Sequence, residues 1–94
     1  MATSILAPGT TAANSVEIDV TAGAPVNVAL YRDDEEPIEH KCTCVIMKKD
    51  PDTNWNPTTW TLNRDNPARV LVGAGSYQIR RPGNLDKATG ISRD

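Results

Sequence analysis

His40, Cys42 and Cys44 are the residues of this 94-residue chain whose types and spacing come nearest to chemistry. On a β-strand they share one face, and an imidazole with two thiols is a plausible zinc-binding set. A straight strand, however, spreads successive same-face residues about 7 Å apart, whereas a tetrahedral zinc gathers its ligands within roughly 4 Å. The same spread makes Cys42-Thr43-Cys44 poor geometry for a disulfide. The sequence has no further His and no second cysteine pair. Small buried thiols beside a surface histidine is the stronger reading, and no metal or other cofactor is expected.

The remaining candidates are weaker. A His base would have to be His40, and nothing marks a Ser or Asp as its partner. The contiguous carboxylates Asp33, Asp34, Glu35 and Glu36 lack the ligand spacing of a calcium loop and read as a solvated tip. Gly73 and Gly75 are followed by neither Lys-Ser/Thr nor a helix, which argues against a phosphate loop. Arg64, Arg69, Arg80 and Arg81 stand in a chain of net charge −2, so nucleic acid is not an expected partner. Trp55 and Trp60 are the residues singled out for binding. On a loop they would stack on sugars or anchor a partner; turned inward they would close a small core that has no Phe. Core or subunit interface is favoured over sugar. No enzyme is expected.

The elements that must position these residues are short strands. Val16, Ile18 and Val20 alternate with Glu17, Asp19 and Thr21, the period of a half-buried strand. Ala22-Gly23-Ala24-Pro25 reads as a turn, followed by Val26, Val28 and Leu30 on one face of a second strand. A third strand spans about Glu39 to Lys48, most buried around Cys42–Met47. Thr58–Leu62 is a fourth. Val70–Val72 and Tyr77–Ile79, separated by Gly73-Ala74-Gly75-Ser76, read as a β-hairpin closed by Pro82. Six strands at this spacing, with a seventh at an edge around Ala88–Ser92, make an all-β fold: a small antiparallel sandwich or barrel. The expected core comprises Val16, Ile18, Val20, Val26, Val28, Leu30, Val45, Met47, Leu62, Val70, Val72, Tyr77 and Ile79.

Three segments follow from this reading: a flexible N-terminal arm at 1–14, a β domain at 15–82 and a C-terminal tail at 83–94. The arm is rich in Ala, Thr, Ser, Pro and Gly, so it buries too little to offset its ordering entropy. Ile5 and Leu6 are its candidate anchors on a neighbouring chain, with part of the arm adding to a partner's sheet edge. An apolar share of 38% is thin for a single small domain, which favours a homo-oligomer, with a trimer the first expectation. Charge is divided: residues 1–47 hold two Lys/Arg against seven Asp/Glu, and residues 48–94 hold eight against five. No apolar run is long enough for a membrane-spanning helix. The first residues lack a basic n-region and an adequate apolar h-region, so synthesis in a reducing cytoplasm is expected.

The segments 7–13 (Ala-Pro-Gly-Thr-Thr-Ala-Ala), 22–26 (Ala-Gly-Ala-Pro-Val), 46–51 (Ile-Met-Lys-Lys-Asp-Pro) and 73–82 (Gly-Ala-Gly-Ser-Tyr-Gln-Ile-Arg-Arg-Pro) together resemble small structural proteins of tailed bacteriophages. The resemblance implies an all-β accessory protein of the virion that assembles as an oligomer, made in the host cytoplasm. Its partner would be the major capsid protein or another virion protein. A capsid decoration (cement) protein bridging capsomers is the leading expectation, and a tail, neck or head-fibre protein the runner-up. A carbohydrate-binding module using Trp55 and Trp60 is the competitor of another class.

Overall fold

Alternation decides the centre of the molecule. In β4 (Val26–Tyr31) the residues Val26, Val28 and Leu30 are buried while Asn27 is exposed, and in β3 (Ile18–Val20) Ile18 and Val20 are buried on either side of exposed Asp19. The computed structural model describes residues 3–94, and among them there are nine strands and no helix. The other seven are β1 (Thr3–Gly9), β2 (Ala13–Asn14), β5 (Cys44–Lys49), β6 (Trp55–Leu62), β7 (Ala68–Leu71), β8 (Gly75–Arg81) and β9 (Thr89–Arg93). They form two antiparallel sheets, one in the order β1-β9-β4-β7 and the other β2-β8-β5-β6, with β3 also on β8. The all-β expectation holds, as a sandwich.

The strand order has a simple origin. β2 and β3 both pair with β8, so they act as one interrupted strand. The chain's first strand then pairs with its last, its second with its second-last, β4 with β7, and β5 with β6. This is one long hairpin. Rolling it brings β4 against β9 and β5 against β8, which is the double-sheet jelly roll. Because each strand reverses its predecessor, the connections 10–12, 32–43, 63–67 and 82–88 gather at one end of the sandwich. The connections 21–25, 50–54 and 72–74 gather at the other.

Several expectations change. Residues 3–9 are not a free arm: β1 lies antiparallel to β9, with Ser4 opposite Ser92 and Leu6 opposite Ile91. Met1 and Ala2, the start of the expected arm, lie outside the described residues. The expected tail supplies β9, which sits between β1 and β4 rather than at an edge. The pair at 70–79 is no hairpin, since β7 and β8 belong to opposite sheets. Its connection crosses the sandwich, helped by Gly75 at φ 147°, where the Tyr77 hydroxyl donates to the Gly73 carbonyl at 2.7 Å.

The expected core is mostly found, with instructive exceptions. Val70 and Val72 are exposed, and Leu71 between them is fully buried. A slip of one residue along a strand exchanges its two faces, and β7 turns the Leu71 face, not the expected Val70 and Val72 face, inward. Val16 is exposed because the strand breaks at Ser15, whose hydroxyl accepts from the Ile79 N–H at 2.9 Å in place of a backbone carbonyl. Val45 is half-buried. Met47 is buried, yet stands outside the main core cluster, flanked in register by Pro57 and Gln78.

Close packing of β1 on β9 depends on Gly90. A Cβ there would meet the Leu6 carbonyl oxygen and the Tyr31 ring at 2.8 Å. Gly90→Ala is therefore expected to cost about 1–3 kcal/mol, read as a lower urea midpoint. An unchanged midpoint would mean that β1 is free to shift.

Candidate partner-binding surfaces

Both tryptophans stand on a strand, Trp60 within the expected Thr58–Leu62 stretch and Trp55 because the strand starts three residues earlier. β6 begins at Trp55 and is an edge of its sheet. Trp55 pairs with Lys49 across the ladder and is half-buried, with the Lys49 ammonium 5.6 Å from a ring centroid. Trp60 falls in a bulge: four steps along β6, from Pro57 to Thr61, face two along β5, from Met47 to Val45. The Thr58 hydroxyl holds this bulge, donating to the Ile46 carbonyl at 2.7 Å and accepting from the Trp60 N–H at 3.1 Å. Trp60 packs against the core, and the Arg69 guanidinium lies 5.8 Å from its ring centroid. Each tryptophan thus has its own cation: Trp60 closes the seam between sheets, and Trp55 stands outside the core cluster.

Ile5 and Leu6, the expected anchors, serve this chain's own interior. Ile5 is buried in the core and Leu6 packs against it. The sheet edges are also poorly suited to adding a partner strand. β1 has two register shifts and Pro8, β2/β3 is interrupted, β6 has Pro57 and its bulge, and β7 is four residues long. Such devices blunt edges, so association falls to loops and faces.

At the end where connections 32–43, 63–67 and 82–88 meet lies an open groove of about 530 Å³, lined by Arg32, Glu36, Ile38, Glu39, Arg64 and Lys87 among others. Glu39 assembles it: its carboxylate accepts the backbone N–H groups of Asp86 at 3.1 Å and Lys87 at 2.6 Å, binding one connection to another. Lys41 adds an exposed ion pair to Asp86 at 3.1 Å. Arg32 pairs with Asp34 and donates to the Pro37 carbonyl at 2.7 Å. The Glu36 N–H that Asp34 accepts, with Arg32 beside it, holds the Asp34 carboxyl below its ordinary value. The sequence reading missed this groove because Asp86 and Lys87 lay in an apparent tail. The rolled strand order is the signal that unites them.

Beneath the same end are the thiols. Cys42 precedes β5 and only Cys44 lies in it, so the straight-strand argument fails and the two Sγ atoms approach to 3.9 Å, both fully buried. The bond from the Cys44 thiol lowers the Cys42 pKa to about 7, helped by the Thr89 hydroxyl, while Cys44 is pushed up. His40 is exposed. Among the described residues no three His, Cys, Asp or Glu side chains converge as a metal site, and no helix is long and apolar enough to cross a membrane. No family model matches the chain, and neither a curated protein nor a solved structure matches it.

Proposed function

We propose that the chain is a non-enzymatic structural component of a bacteriophage virion, a capsid decoration protein that bridges capsomers. The observation that carries this reading is the rolled strand order, an architecture that viral capsid domains use. The link from fold to role is an analogy, and the turn-rich segments that resemble phage structural proteins point the same way. Because β1 belongs to its own sheet, attachment is assigned to the loop-end groove and to the Trp55 side chain, not to a free arm.

The deciding experiment is proteomics and cryo-electron microscopy of purified particles. The reading requires this polypeptide in the particle, with density at capsomer boundaries and trimers as the first expectation. Density at the tail, neck or a fibre would move it to that site. Particles without the polypeptide would remove the virion role. Trp55→Ala is expected to weaken attachment at least tenfold, as loss of an aromatic anchor does, while leaving the unfolding midpoint nearly unchanged.

Lectin domains also use this architecture, and the Trp55 ring, half-buried and outside the core cluster, favours a carbohydrate-binding role as the second reading. Glycan-array binding lost in Trp55→Ala would select it.

A further inference from the structure

We infer that Cys42 and Cys44 are an oxidation site that closes to an intramolecular disulfide when the protein meets a low-molecular-weight disulfide. Three observations carry this. The sulfurs already stand 3.9 Å apart, so a bond of about 2.05 Å needs an approach of under 2 Å. The chain is not extended through both cysteines: Cys42 lies before β5, its N–H donates to the Glu39 carbonyl at 3.2 Å, and the Thr43 N–H donates to Lys41 at 3.2 Å. A buried cation lies close by. Arg81 is bound by backbone carbonyls, among the described residues no carboxylate pairs with it, and its field favours a thiolate on either cysteine, although at Cys42 the Glu39 carboxylate opposes it more strongly.

The chemistry balances. The Cys42 thiolate attacks one sulfur of the oxidant RSSR, forming a mixed disulfide and expelling RS⁻, which takes up the proton Cys42 released. Cys44 then attacks the Cys42 sulfur, its proton passing to the second RS⁻. The two cysteines lose two electrons, and RSSR becomes two RSH. Cys42 fits the attacking role because it lies in the connection ahead of β5, whereas Cys44 is held in the strand, and the neighbouring Cys44 thiol favours the Cys42 thiolate.

Both sulfurs are buried, so attack proceeds through local opening of the connection 32–43. Its backbone bonds are turn bonds and its residues 33–37 are exposed, features of a segment that opens more cheaply than the whole domain. The closed disulfide would fasten the start of β5 to the connection that builds the groove.

The test equilibrates the full chain in glutathione buffers of graded ratio, natively and in concentrated urea, followed by alkylation and intact-mass measurement. The native protein is expected to lose both alkylatable thiols and about 2 Da without dimerising, with an oxidation constant at least tenfold above that of the unfolded chain. A native constant no larger than the unfolded one, or dimers linked between chains, would overturn the inference. In Cys44→Ser, glutathione is expected to remain attached at Cys42. Attachment only at Cys44 in Cys42→Ser would overturn the assignment of Cys42 as the attacking sulfur.

Discussion

Arg81→Ala is expected to lower the free energy of unfolding by about 3–5 kcal/mol, because three hydrogen bonds from a charged donor are lost together. Arg81 is only 4% exposed. Its Nε donates to the Thr11 carbonyl at 2.9 Å, and Nη1 donates to Ala7 at 2.9 Å and Thr89 at 2.7 Å. Those carbonyls belong to connection 10–12, β1 and β9, while Arg81 itself ends β8 in the opposite sheet. One side chain therefore ties both sheets together where the hairpin's first and last strands meet. Alanine leaves the buried Thr89 carbonyl and the part-buried Thr11 and Ala7 carbonyls without this donor, each costing about 1–3 kcal/mol where water cannot replace it.

Arg81→Lys keeps the charge but not the planar fork that reaches separate acceptors, and is expected to lose most of the same stability. Gly9 belongs to this arrangement, since a Cβ there would stand 2.7 Å from Nη2. Guanidinium-chloride unfolding of both variants checks the prediction. A loss below about 1 kcal/mol in Arg81→Ala would mean that water or a shifted strand satisfies the carbonyls.

Arg81 also marks where the sequence stops being legible. Alternation reports burial only when apolar residues occupy the buried positions, as Ile18, Val20, Val26, Val28 and Leu30 do. A buried arginine satisfied by distant carbonyls has no such local signature. Gly73 and Gly75 suggest a tight hairpin reversal, yet only Gly75 has a positive φ, and local turn chemistry cannot say whether the next strand joins the same sheet. Only the partners of β7 and β8, far apart in sequence, decide that. In 69–72 three apolar residues are consecutive, so both faces qualified, and packing selected Leu71. The groove was illegible for the same reason as the fold's closure, because Glu39 meets Asp86 and Lys87 only after β9 has paired with β4. Cys42 departs from the expected strand because β5 begins at Cys44, five residues after Glu39.

The N-terminal residues give the most consequential departure, and the second large effect. Ile5 and Leu6 are adjacent, so no period-2 pattern announces a strand. Both are nevertheless used because the ladder shifts between Ser4 and Leu6, letting Ile5 enter the core while Leu6 stays opposite Ile91. A chain beginning at Thr10 would lose both side chains, roughly 3–6 kcal/mol of apolar burial. It would also lose the Ala7 acceptor of Arg81 and the strand that covers β9. A small domain's net stability is about 5–15 kcal/mol, so this truncation is expected to remove most of it and expose β9 as a new edge open to aggregation. The expected result is loss of a cooperative urea transition at 25 °C, or a midpoint lowered by at least half, with light scattering showing association. Ile5→Ala, which keeps the strand, is expected to lose about 2–4 kcal/mol and remain folded. A truncated chain that unfolds at the same urea concentration as the full one would return residues 3–9 to the role of a dispensable arm, free to bind a neighbour.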